Sequence, residues 1–177
     1  MSGQGDGTML CVIARIDEKA RERLAALQDV AVELGVPPRP LYGHITLVTY
    51  VGDREPEFIA HAKAALREQR QFTAHYDRIG VLETAQVVAA MPKKEGELEK
   101  VQSLIAVDCT ACVDAWTRPS LWIPHTTLAH RPPVAIDVLA DAMSREFEPF
   151  STRVDRIEFS RVLEDGYAIV DAVDLKK

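Results

Sequence analysis

Along the chain, short strand-like apolar runs alternate with amphipathic helical stretches. Leu10 to Ala14 is unbroken and apolar, which predicts a buried strand ended by Arg15-Ile16-Asp17. Asp17 suits the N-cap of a helix over Glu18 to Leu34, where Leu24, Leu27, Val30, Ala31 and Leu34 recur at helical spacing before Gly35. The stiff connector Val36 to Pro40 delivers the chain to a strand over Leu41 to Val51. A second helix is predicted over Glu55 to Glu68, with Phe58, Ile59, Ala62, Ala65 and Leu66 on its apolar stripe. Phe72 to Leu82 and Gln86 to Met91 read as a strand and its hairpin partner, and Gly96 to Asp114 as a third helix. Leu121 to Pro124 leads into a further strand, ended by Pro132-Pro133. A fourth helix covers Ile136 to Phe147. Two last strands, Ser151 to Leu163 and Tyr167 to Leu175, meet at the hairpin signal Asp165-Gly166.

The pattern repeats. His44-Ile45-Thr46-Leu47 returns as His125-Thr126-Thr127-Leu128, offset by 125 − 44 = 81 residues. Each copy is followed by a helical stretch, a Phe (Phe72, Phe150) and, five residues later, Asp-Arg-Ile (Asp77-Arg78-Ile79 and Asp155-Arg156-Ile157). Side chains alternate faces along a strand, so His and Thr share one face of each copy and leave the other for a core. Each half reads strand, helix, His-strand, helix, strand: an α+β chain of two pseudo-symmetric lobes. A pseudo-two-fold relating them would bring His44 and His125 together across one groove.

Composition narrows the partners. At 177 residues, 47% of them hydrophobic, the chain fits one domain. The polar, glycine-rich residues 1–8 are expected to be disordered and 9–177 to form one bilobal unit. A net charge of −6 disfavours an extended nucleic-acid surface, though not a short anionic substrate held by a few cations. No apolar run reaches the ~18 residues that span a bilayer. Three cysteines without an export signal suggest reduced thiols and a cytoplasmic setting. Cys109-Thr110-Ala111-Cys112 has redox spacing but falls late in a helical pattern, where small buried residues explain it better.

Two His-x-Thr motifs, one per half of a short pseudo-symmetric chain, resemble the two-histidine (2H) phosphoesterases, in particular the bacterial 2′-5′ RNA ligase-like group that includes RNA 2′,3′-cyclic phosphodiesterases. The resemblance covers nearly the whole chain. It implies two antiparallel sheets around a central groove with helices outside, His44 and His125 as catalytic residues, and Thr46 and Thr127 as phosphate ligands. Many relatives continue the second motif as His-x-Thr-Leu-Ala-Arg. Here His130 stands at the Arg position and Arg131 follows it.

This chemistry suits histidine. An ordinary pKa of ~6.5 lets one imidazole act as base and the other as acid near neutral pH, while Thr hydroxyls donate to non-bridging phosphate oxygens. No step demands a metal or another cofactor. By family analogy His125 takes the base role and His44 the acid role, although the near-symmetry of the two motifs leaves the assignment open from sequence. Period 2 extended from His125 puts Arg131 on the groove face, as a phosphate ligand in place of the missing Arg. Tyr42, Tyr50 and Trp122 could stack on a base or pack at strand ends. Arg39 and Arg118 precede their motifs in corresponding loops. The implied substrate is a nucleotide or an RNA terminus, handled by a monomer. Rival readings are a nucleotide-binding module without turnover, and a metal site using His44, His125 and His130; parity sets His130 on the opposite face from His125.

Overall fold

The computed structural model describes residues 9–38, 43–106, 112–163 and 166–177. In chain order its elements are β1 (Leu10–Arg15), α1 (Glu18–Glu33), β2 (His44–Tyr50), α2 (Glu55–Ala65), β3 (Phe72–Leu82), β4 (Val87–Pro92), α3 (Gly96–Ala106), β5 (Thr126–His130), α4 (Ile136–Glu146), β6 (Phe150–Val154), β7 (Arg156–Leu163) and β8 (Gly166–Asp174). The strands make two antiparallel four-stranded sheets, ordered β2-β1-β7-β8 and β5-β4-β3-β6.

The halves exchange strands. β3, from the first half, pairs with β4 and β6, whereas β7, from the second, pairs with β1. The expected single strand over Ser151 to Leu163 is therefore two strands, and the chain passes between sheets at Asp155. Arg15 donates to the Asp155 carboxylate at 3.0 Å there. The repeated Asp-Arg-Ile thus lies inside one long strand in its first copy and at a sheet change in its second.

One apolar face of each sheet enters a shared core. Leu10, Val12, Ala14, Ile45, Leu47 and Val48 of the first sheet meet Val88, Ala90, Leu128 and Ala129 of the second, along with Leu24, Phe58, Leu98, Leu139 and Met143 from the helices. Each large apolar side chain sealed in this way contributes roughly 1.5–3 kcal/mol. The opposite face of the second sheet keeps only a small separate cluster, Val87, Ala89 and Met91 with Leu82. Those two clusters identify the inner and outer faces of each strand.

Helix α1 begins as its sequence predicts. The Asp17 carboxylate accepts the Ala20 N–H at 2.9 Å, and its other oxygen accepts the Thr152 hydroxyl at 3.0 Å and the Arg153 N–H at 2.8 Å. Burial alone would raise the Asp17 pKa, but these donors take it below the ordinary value. One residue both caps a helix and ties it to β6. At the far end Gln28 donates to the Leu128 carbonyl at 3.0 Å, fixing α1 to β5. Helix α3 is described as far as Ala106, and Asp114, the predicted end, is not helical. Cys112 accordingly lies in a turn rather than on a helix, and it is disulfide-bonded, not a reduced thiol. Cys11 is free and buried. Cys109 lies outside the described residues, as does Asp165 of the last hairpin. Among the described residues no helix is long and apolar enough to cross a membrane.

Candidate active site

Both His strands are sheet edges, and they meet each other. β2 ends one sheet and β5 ends the other. The Thr126 hydroxyl donates across the junction to the His44 carbonyl at 2.8 Å, so the Tyr76 hydroxyl, 2.6 Å away, must donate to Thr126 Oγ1. Tyr76 is fully buried, which raises its pKa and keeps it a donor. This relay from β3 through β5 to β2 holds the backbone of His44 beside the residue that follows His125.

Each His strand carries the same irregularity. β1 pairs Val12 with Val48 and Ile13 with Thr46, so Leu47 is the extra residue of a β-bulge. β4 pairs Val88 with Ala129 and Ala89 with Thr127, so Leu128 is the extra residue in the second copy. The two bulges are 128 − 47 = 81 residues apart, the offset of the motif itself. A bulge reverses side-chain alternation beyond it. His44 and Thr46, before the bulge, pair with Arg15 and Ile13; Thr49, beyond it, pairs with Cys11, so all three share the face turned from the core. In the second copy Thr127 pairs with Ala89 and His130 with Val87, both on the outer face.

This register corrects two expectations. His130 lies on the same face as Thr127, not on the opposite one, because Leu128 absorbs one residue. Arg131, placed on that face by uninterrupted alternation, follows His130 with a left-handed φ of 46°. Its N–H is bonded to the Gln86 carbonyl at 2.7 Å, and both it and His130 line a groove with Gln28, Val36 and Pro132 on the α1 side. The cleft that contains His125 includes neither residue.

The imidazoles interact electrostatically. Burial, together with the charge on His125, pushes the His44 pKa down to about 4. Burial also lowers His125, against the opposing pull of its hydrogen bond to Ile123. His125 Nδ1–H donates to the Ile123 carbonyl at 2.9 Å, which leaves Nε2 as the unprotonated nitrogen of the neutral ring. The His44 ring stands edge-on to Tyr167 of β8, with centroids 4.7 Å apart.

Trp122 is not available to stack on a base. It is 2% exposed, and its indole N–H donates to the Thr46 carbonyl at 2.9 Å, joining the residue before Ile123 to the first motif. Tyr50 is also buried, packed on Phe58, with its hydroxyl accepting the Arg54 N–H at 2.7 Å. Tyr42 and Arg39 lie outside the described residues, and Arg118 is an exposed loop residue.

Sequence reasoning missed Tyr167 and Trp116. Tyr167 follows a turn signal, and no local pattern reveals that its strand lies two places from β1. Trp116 had a signal: Asp114 two residues before it, able to cap a short turn. Among the described residues no group of three or more His, Cys, Asp or Glu is placed to hold a metal ion.

A family model described as the 2′-5′ RNA ligase superfamily matches residues 16–166. No match was found among curated proteins. Among solved structures, Escherichia coli LigT without ligand superposes with a TM-score of 0.68 at 18% identity, over 96% of this chain and 98% of that one. TT0787 of Thermus thermophilus gives 0.69 at 20% identity, over 95% and 98%. Usb1 of Kluyveromyces marxianus gives 0.56 at 11%, again over 95% and 98%.

Proposed function

Because the chain belongs to the 2′-5′ RNA ligase superfamily of 2H phosphoesterases, we propose that it is a metal-independent phosphodiesterase acting on the 2′,3′-cyclic phosphate, or a related 2′-5′ linkage, of an RNA end or small nucleotide. The observation that carries this reading is the mutual placement of the two His-x-Thr copies. They sit on abutting sheet edges, clasped by the Thr126–His44 hydrogen bond, with the charge of one imidazole depressing the pKa of the other. Structures of LigT with 3′-AMP, ATP and NADP+ give nucleotides as the ligand class of one structural relative.

His125, with Nδ1–H committed to Ile123, takes a proton from water through Nε2. Hydroxide attacks phosphorus in line, and the bond to the opposite ester oxygen breaks. His44 gives its proton to that leaving oxygen. Thr46 and Thr127 donate to the non-bridging oxygens as charge develops on them. A bound phosphodiester anion raises both imidazole pKa values and so helps load His44 with its proton. The reverse reaction, ligation, uses the same groups with the roles exchanged.

The test is turnover of adenosine 2′,3′-cyclic phosphate, of a cyclic-phosphate-ended oligonucleotide and of a 2′-5′ dinucleotide, each with excess chelator. Hydrolysis by the wild type and its loss in both His44→Ala and His125→Ala support the proposal. Dependence on a divalent ion, or persistence in both variants, overturns it. Nucleotide binding with no turnover of any substrate would point to a binding module instead.

A further inference from the structure

Beside His125 lies a cavity of about 520 Å³, in the range of small-ligand sites, whose lining includes Leu82, Glu83, Trp116, Leu121 and Ile123. Three of these side chains are large, apolar and unusually open to solvent: Trp116 is 66% exposed, Leu121 50% and Ile123 47%. Scattered exposed apolar residues need no explanation, but three around one concavity mark a binding surface. The backbone under Trp116 is held firmly. Asp114 accepts the Trp116 N–H at 2.9 Å, Asp114 N–H donates to the Thr49 carbonyl at 2.8 Å, and the Thr117 hydroxyl accepts the Thr49 N–H at 3.1 Å. Gln102 fastens the Thr117 carbonyl from the core at 2.6 Å. An exposed indole on a fixed backbone, anchored to the first His strand and opening beside the second, is a preformed stacking platform.

Building on the phosphodiesterase reading, we propose that this cavity receives the nucleobase of the substrate, stacked on Trp116, with the phosphorus at the His44–His125 pair. The cavity's walls also define the ligand chemistry. Among the described lining residues Glu83 is the only one with a formal charge other than His125 itself, so the cavity favours an uncharged aromatic group over a further phosphate. The substrate on this side is therefore a terminal or free nucleotide, whose base ends in the cavity, rather than a strand continuing through it.

Two measurements on the full chain decide the matter. The first compares adenosine 2′,3′-cyclic phosphate with methyl riboside 2′,3′-cyclic phosphate, which presents the same phosphorus without a base. Trp116→Ala should raise KM for the adenosine substrate roughly 5- to 150-fold, the range for losing one base–aromatic stack, with kcat unchanged. It should leave KM for the base-free substrate unchanged, and Trp116→Phe should recover most of the lost affinity. Equal effects on both substrates, or none on either, overturn the proposal. The second measurement needs no turnover: titration with adenosine 3′-monophosphate, followed by tryptophan fluorescence. Trp122 is buried, so the expected quenching belongs to Trp116 and vanishes in Trp116→Ala. Quenching without hydrolysis would sink the phosphodiesterase reading and keep the base site; hydrolysis with no quenching would do the opposite.

Discussion

Thr126 is the sharpest place to perturb this protein, because one hydroxyl joins three strands. Thr126→Val keeps the shape of the side chain and removes both hydrogen bonds. The Tyr76 hydroxyl, at the centre of the core, loses its acceptor, and the His44 carbonyl loses its cross-sheet donor. Leaving a buried polar group unpaired costs about 1–3 kcal/mol, so the two together should destabilise the fold by about 2–6 kcal/mol. Tyr76→Phe removes one end of the relay and should cost only about 1 kcal/mol, since Thr126 still donates to His44. In the double variant the orphaned Tyr76 hydroxyl no longer exists, so the loss should be smaller than the sum of the singles by about 1 kcal/mol. Urea unfolding of the four proteins gives the cycle. Activity gives a second readout, because the relay positions the backbone of His44: Thr126→Val should lower kcat while leaving KM nearly unchanged, and Thr126→Ser should restore it. A Thr126→Val protein within about 0.5 kcal/mol of wild type, the range of an ordinary surface substitution, with full kcat would refute the reasoning.

Other predictions follow from the same geometry. His44 has a depressed folded-state pKa of about 4, so the unfolded chain binds more protons between there and ~6.5; stability is fully present above ~6.5 and falls by about 3 kcal/mol as pH drops through that window. Thermal melts across pH 3.5–8 should show this loss, and His44→Asn should reduce it; an unchanged slope in the variant would contradict the assignment. The rate profile should move the same way: with both imidazoles lowered, kcat/KM should peak below pH ~6.5 and decline about tenfold per pH unit above it, whereas an optimum at pH 8 would not fit. Gly43 has a φ of 67°, and a Cβ there would meet Arg21 Cγ at 2.5 Å, so Gly43→Ala should cost about 1–2 kcal/mol by denaturation and, by shifting His44, reduce kcat.

The elements formed by local pattern alone were legible in the sequence. Asp17 caps α1 as its position suggests, and β3 spans Phe72–Leu82, the stretch that reads as a strand. The 81-residue repeat pointed to the pairing of His44 with His125 because duplication carries long-range information that a single motif lacks. What failed were inferences that carried a local rule too far. Alternation from His125 to Arg131 assumed a regular strand, yet the bulge at Leu128 has no glycine or proline to announce it. Trp122 admitted both stacking and packing at a strand end, and the Thr46 carbonyl, 76 positions away in sequence, decides for packing. The exchange of β3 and β7 between sheets was equally hidden, since nothing in either strand names its neighbour.

The central claim is that two imidazoles, remote in sequence, attend one phosphate. The most direct measurement is an NMR titration of the ring nitrogens of His44 and His125, without and with adenosine 3′-monophosphate. Both pKa values should start below ~6.5 and rise together as the nucleotide saturates, with His125 retaining its Nδ1–H tautomer when neutral. If only one ring responds, or neither does, the two histidines do not share a site.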